Sequence, residues 1–539
     1  MSKNVKKTAK KANTSKATVI SGNASKGILQ FSMYERFTTI FVLSIFAVFP
    51  FYMTDKLFNV RGDRLHFFVA AVLILLFFIL ATFVCGIDKE KRPTNIFKLS
   101  ISDISFIAFT VICLVSACLS EYGEEAFTGS GGRDSGFWLM LMYLLCYLLV
   151  SRFFRSHEIT FTVFAIASSV VCLIAIMHEF FIDPFNIISD IKQSQQKDFI
   201  TTIGNINMFS GYICVTLSTN LALAVISKDN AFTAFYCFTV SLNFMGLLVA
   251  NSLSGYFGLA VFMTVLFVYC CGNSRRLFKF FTLCSVMLIS AKVLRLISYI
   301  FNDKYKNLQD VSKFLIFDSR VYILLAITIV LTIGAYFLQN KFGENHSPKW
   351  VTAAAGSIAA AAAFCVVGAL VYFTFIDTET DLGNMAKILR LNDQWGTHRG
   401  FAWIRGFKLF TSSGIKNFLV GSGPDTFGQL IKSEYRDEMI SRYDSIFDTA
   451  HNEFLNYLVT TGLLGFISYV TLIFSVVIKC IRRCTKDPVM LIPILVITAY
   501  ASQSLFNLAT PIITPYLFLF IGIGENMIRL NDNENHEVI

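Results

Sequence analysis

One histidine stands where an apolar run begins. His451 lies in DTAHNEFLNYLVTTGLLGF, and ten residues separate it from Gly462. An imidazole at a water–lipid boundary can accept a proton near neutral pH. The same residue could equally be a helix-capping or interfacial histidine. Gly462 and Gly465 lie one turn apart inside the run, a spacing that permits close helix packing. Upstream, GTHRGFAWIRGFKLF carries Arg399 and Trp403, and LVGSGPDTFG follows. Arg399 offers a planar fork suited to phosphate. Gly421 and Gly423 would free backbone N–H groups for an anion. FTGSGGRDSGF places Arg133 at the start of the fourth apolar run, beside glycines, and TTIGNINMFSGY places Asn205 and Asn207 at the start of the sixth. Singly, such features are ordinary turns and snorkelling side chains. Together they describe a cationic site with one proton acceptor, suited to an anionic substrate.

These residues need elements to hold them. The chain has 539 residues, 55% hydrophobic and 15% charged, with 56 phenylalanines. Soluble domains carry about 25% charged residues, so lipid must cover much of this surface. The apolar runs predict an all-α polytopic membrane protein with about fourteen spans. Their centres fall near Ser44, Ile74, Thr110, Leu144, Ser169, Val215 and Ser241, then Met263, Met287, Thr328, Phe364, Tyr469, Leu495 and Leu517. Loops such as DKEKRPTNIFK and KCIRRCTKDP are basic, and alternate loops are neutral or acidic. That asymmetry places both termini in the cytoplasm of a multi-pass plasma-membrane protein. Lys292 and Arg295 interrupt the ninth run.

The formal net charge of +10 is uneven, because seven lysines fall between Lys3 and Lys26. Residues 1–34 read as a basic disordered cytoplasmic tail and topology signal, in preference to an arm that contacts anionic lipid head groups or nucleic acid. Residues 35–376 hold spans one to eleven, 454–528 hold spans twelve to fourteen, and 529–539 form a second cytoplasmic tail. Between them, 377–453 is too long for an idle connection. It holds two of the seven histidines and two of the four tryptophans. It is expected to fold outside the membrane as short interfacial helices. The thirteen cysteines lack a CxxC pair, which predicts neither a disulfide framework nor zinc.

HRGFAW, GSGPDTF and HNEFLNYLVTTGLLG together resemble the O-antigen ligase and polymerase superfamily of bacterial envelope enzymes. The His451–Gly462 spacing is similar to the H-x10-G element of the polymerases. GNIN and the Arg133–Gly136 pair match further segments, and the resemblance runs from about Thr38 to Ile528. The chain departs from the pattern at NSLSG, where Leu253 replaces an expected arginine; Lys292 or Arg295 could substitute.

The resemblance implies a GT-C-like fold and glycosyl transfer outside the membrane. The donor would be a glycan on undecaprenyl diphosphate, and the acceptor a hydroxyl on a glycan, lipid or protein. His451 and Arg399 would be catalytic. Arg133, Asn205, Asn207, Trp403, Gly421, Gly423 and Asn452 would bind substrate. No cofactor or metal is expected, although Asp377, Glu379 and Asp381 alternate in a manner that can bind a divalent cation. Polymerase and ligase both fit. The rival class is a lipid-linked oligosaccharide flippase or other transporter, which would show internal repeats. A serine protease using Ser254 would need an orienting acid.

Overall fold

A computed structural model describes residues 31–536, apart from 94–95, 130–132, 193–194, 302–307 and 345–348. The basic tail through Gln30, the glycines Gly131 and Gly132, and the last three residues therefore lie outside the described residues.

The described residues are mostly helical. The first six helices are α1 (Met33–Ala47), α2 (Val60–Val84), α3 (Ile101–Cys118), the short α4 (Glu124–Thr128), α5 (Phe137–Phe153) and α6 (Glu158–Glu179). A two-stranded antiparallel hairpin follows, β1 (Phe199–Ile200) and β2 (Gly204–Asn205). Then come α7 (Ile206–Ile226), α8 (Asn230–Ala250), α9 (Leu253–Cys270), α10 (Ser274–Ile300), the short α11 (Asp310–Phe317), α12 (Arg320–Phe342) and α13 (Lys349–Val371). The long loop folds as α14 (Ala386–Leu389), α15 (Trp395–Ser412), α16 (Ile415–Val420) and α17 (Phe427–Tyr443). The chain closes with α18 (Glu453–Cys484), α19 (Leu491–Ser504) and α20 (Thr514–His536).

Every expected span centre falls inside a helix. Among the described residues, eleven helices are long and apolar enough to cross a membrane. The fourth and thirteenth expected spans are shorter apolar helices, Phe137–Phe153 and Pro488–Ser504, and the fourteenth is α20. Helices satisfy their own backbone polar groups, which is why an apolar medium selects them. Capping residues set where they begin. Ser32 with Glu35, and Ser100 with Asp103, form reciprocal capping boxes at α1 and α3. Lys292 does not interrupt α10; its ammonium donates to Ile316 O and Asp318 O at the end of α11.

The buried centre is α7, packed by α6, α8, α9 and α19. Phenylalanines stack between other helices of the core: the ring centroids of Phe46 and Phe164 lie 4.2 Å apart, joining α1 to α6, and those of Phe106 and Phe518 4.8 Å apart, joining α3 to α20. By contrast α12 and α13 leave their apolar side chains largely exposed. The loop helices have a core of their own around Phe401, Phe410, Phe427, Ile431 and Met439. Ion pairs brace it, with Asp393 and Glu438 each meeting both Arg405 and Arg442. The loop helices rest on the Glu453 end of α18, which defines a loop face. The opposite, terminal face carries the start of α1 and the far end of α20.

Candidate active site

His451 immediately precedes α18, in the left-handed backbone region at φ 45°. Asn452 turns the chain into the helix, its side-chain oxygen accepting from Leu455 N at 3.0 Å. That carbonyl is thus a helix cap, a role distinct from the substrate contact expected for it. Trp403 also has a structural bond. Its indole N–H donates to Ala450 O at 2.8 Å and so fixes the residue before the histidine. Trp395 and Phe506 complete an aromatic triangle with Trp403, at centroid separations of 5.0 to 5.9 Å. Neither was singled out from the sequence. Phe506 follows α19 and had no local signal, whereas Trp395 opens the same segment as Arg399.

Arg399 begins the regular part of α15. The three residues before it, Gly396, Thr397 and His398, all have left-handed backbones. That turn folds tightly back over the helix. A Cβ on Gly400 would stand 1.8 Å from Asn392 O, so only glycine fits. The Arg399 guanidinium is half-buried and has no hydrogen-bond or ion-pair partner among the described residues. Burial draws its pKa below the usual guanidinium value, but arginine stays cationic. Arg133 is committed instead: it is ion-paired with Asp448, and its Nη1 donates to Asp448 O at 2.8 Å. Asp448, three residues before His451, is a site member that sequence reasoning passed over; its signal was the acid in DTAH.

These groups converge electrostatically on the imidazole. Burial pushes the His451 pKa down to about 4, and Arg399 and then Arg133 push it the same way, against Asp448. The ring is therefore neutral at physiological pH, with its basicity reduced. The imidazole thus lies within the fields of both guanidinium groups.

Asn205 and Asn207 reach the same face through α7 and α19. The Asn205 oxygen caps α7 by accepting from Asn207 N at 2.9 Å. The Asn207 oxygen accepts from Ser252 Oγ at 2.8 Å, and its backbone carbonyl accepts from Asn507 Nδ2 at 3.1 Å. Asn507 adjoins Phe506, which links this corner to the aromatic triangle. Ser254 sits deeper, against Ser252 and Gln503, in a hydroxyl–amide cluster.

The glycines need correction. The N–H groups of Gly421 and Gly423 do not face an open anion site. Gly421 N donates to Asn417 O at 2.9 Å and Gly423 N to Thr460 O at 2.9 Å. The GSG turn is a plug seated in a break in α18. That break is Gly462, at φ 68°, so this glycine interrupts the helix where close packing was expected of it. A Cβ on Gly421 would stand 2.2 Å from Thr460 backbone, and one on Gly462 2.4 Å from Leu419 backbone. Neither side can yield, because backbone meets backbone. Gly421→Ala is therefore expected to undock the loop from α18, lowering the thermal midpoint and reducing activity about tenfold while membrane insertion persists. A melting curve and activity equal to wild type would count against the plug.

The acidic run makes local turns. Asp377 accepts from Thr380 N and Oγ1, and Asp381 from Gly383 N. Among the described residues no group of three or more His, Cys, Asp or Glu side chains gathers as metal ligands.

Residues 311–470 match the family model described as O-antigen ligase. The matched stretch contains α15 to α17, the GSG plug, His451 and the broken part of α18. The match covers 160 of the 539 residues, and over that stretch the chain is similar to the O-antigen ligase family. No curated protein matches the chain.

Proposed function

From a multi-pass membrane chain of O-antigen ligase type, we propose a glycosyltransferase that moves a glycan from undecaprenyl diphosphate to an acceptor hydroxyl on the extracytoplasmic side. The observation that carries it is a buried imidazole in the field of Arg399, whose guanidinium has no hydrogen-bond or ion-pair partner among the described residues. In the proposed step His451 takes the proton of the acceptor hydroxyl. The freed oxygen bonds to the anomeric carbon, and the bond from that carbon to the diphosphate oxygen breaks. The electron pair leaves with the carrier diphosphate, whose growing charge Arg399 stabilises. Arg133, steered by Asp448, supports from the second side. The free amide N–H₂ groups of Asn205 and Asn207 orient sugar or phosphate oxygens. A diphosphate is already a good leaving group, so the step draws on no residue beyond these.

Orientation and reaction are tested together in cells. Cysteines placed in 377–453 are expected to react with an impermeant reagent added outside, and one at Lys228 is not. The reverse pattern would invert the topology and remove the extracytoplasmic reaction. Deleting the gene is expected to change surface glycan length. Long chains stranded on the lipid carrier indicate a ligase, whereas loss of long chains with single units still attached indicates a polymerase. An unchanged glycan profile would count against the transferase.

A further inference from the structure

The terminal face carries a second cavity, remote from His451. It has a volume of about 450 Å³ and lies among the start of α1, the loop before α3, and the ends of α5, α18 and α20. Its floor is an ionic cluster. Asp103, fully buried, meets Arg152 Nη1 at 2.7 Å and also pairs with Arg529. Glu525, 1% exposed, meets Lys479 Nζ at 3.3 Å and faces Arg529 as well. Three cations thus oppose two carboxylates, leaving an excess of positive charge under the cavity. Lys91 and Lys98 stand at the rim, and their ammonium groups have no hydrogen-bond or ion-pair partner among the described residues. The one acid at the rim, Glu35, is engaged by the Ser32 cap and by Arg155.

Two buried polar groups in this lining also lack a partner. Tyr34, 0% exposed, has an unsatisfied hydroxyl, and Asn526, 2% exposed, has an unsatisfied side-chain oxygen. Unpaired buried polar atoms are costly and rare. Here they call for a ligand that both accepts and donates hydrogen bonds. Ser100, Ser151 and Arg483 also line it, and the other lining residues are apolar, including Leu99, Ile101 and Phe153. Leu99 and Ile101 are themselves more than half exposed, and Ile104 continues the same outward strip along α3. A wet ionic floor joined to a greasy, lipid-facing edge fits an amphiphile lying at the membrane interface.

We infer that this cavity binds an anionic phospholipid with a hydroxylated head group. The phosphate meets Lys91, Lys98 and the cationic floor, and the Tyr34 hydroxyl donates to it. Head-group hydroxyls donate to Asn526 Oδ1. The acyl chains leave along Leu99, Ile101 and Ile104. Basic pockets between helices at a membrane surface take such head groups.

The test uses the purified full-length protein in a neutral detergent. The probes are phosphatidylglycerol, phosphatidylcholine and soluble glycerol 3-phosphate, read by thermal midpoint and by lipid retained in native mass spectrometry. Phosphatidylglycerol is expected to raise the midpoint and remain bound, and phosphatidylcholine to do neither. The double variant Lys91→Ala/Lys98→Ala is expected to raise the half-saturating phosphatidylglycerol concentration about tenfold or more. Tyr34→Phe, which removes one oxygen and keeps the ring, is expected to raise it about fivefold or more. Equal response to both lipids, or unchanged saturation in both variants, would overturn the site. Glycerol 3-phosphate that saturates as well as the lipid and displaces it would overturn the lipid assignment.

Discussion

Replacing His451 with alanine is expected to lower glycan transfer by about 10²- to 10⁴-fold, the usual contribution of a positioned general base. Carrier-linked donor should still bind, because the arginines remain. The backbone at this position is left-handed, at φ 45°, so alanine introduces some strain of its own. His451→Asn separates the two effects. Asparagine tolerates this conformation and keeps a hydrogen-bonding side chain, but takes no proton near neutral pH. Both variants are expected to insert normally and to fail equally in transfer. Near-normal product from His451→Asn would remove the base from the mechanism.

The pH dependence follows from the same geometry. With a folded pKa near 4 and an ordinary value of about 6.5 when unfolded, the ring is neutral in the free protein down to weakly acidic pH. The unfolded chain binds the extra proton between those values. This group's contribution to stability is therefore complete above about pH 6.5 and is lost as pH falls toward 4. For activity, the acid limb of kcat/KM should lie near the free-protein pKa. A bound diphosphate neutralises the arginines and adds negative charge, which raises the imidazole pKa. The acid limb of kcat is thus expected at higher pH than that of kcat/KM. Coincident limbs would mean that the donor phosphate does not reach the imidazole's surroundings.

Arg399→Ala is the second large effect, a loss of about 10²- to 10³-fold, comparable with removing one preorganised donor to a developing anion. Arg133→Ala is expected to lose less, because that guanidinium is already paired with Asp448, while Arg399 has no such partner among the described residues. Arg399→Lys should recover only part of the loss, since a point charge does not reproduce a bidentate fork. Arg399→Gln carries a second readout. Removing a positive neighbour raises the His451 pKa, so the acid limb of kcat/KM should move to higher pH. If Arg133→Ala proves the more damaging of the pair, the assignment of the primary phosphate grip reverses.

The residues that converge on this site were legible to different degrees. His451, Arg399 and Arg133 could be named from the chain because their types and neighbours are unusual beside long apolar runs. Asp448 was in plain view yet had no pattern to mark it; only its ion pair with Arg133 gives it a role. Phe506 and the terminal-face ionic cluster had no local signal at all. Asp103 and Arg529 stand more than four hundred residues apart in the chain and meet only in the folded protein, where α3 and α20 approach. The glycines show the same limit. Gly421 and Gly423 were read as anion-binding backbone, yet their neighbours on α18 claim that surface, and Gly462 breaks a helix that its sequence alone would continue.

By itself the sequence determined the medium and the helices, because apolar length and basic loop charge are local properties that act segment by segment. It also marked the 377–453 segment as the candidate for chemistry, since charge, aromatic rings and glycine accumulate there between spans. Tertiary structure alone decided which polar groups remain free. Every hydrogen bond or ion pair that a distant segment supplies removes a donor or a charge from the pool available to substrate. Among the described residues, that subtraction left Arg399 unclaimed, committed Arg133, and turned two glycines from a cradle into a plug.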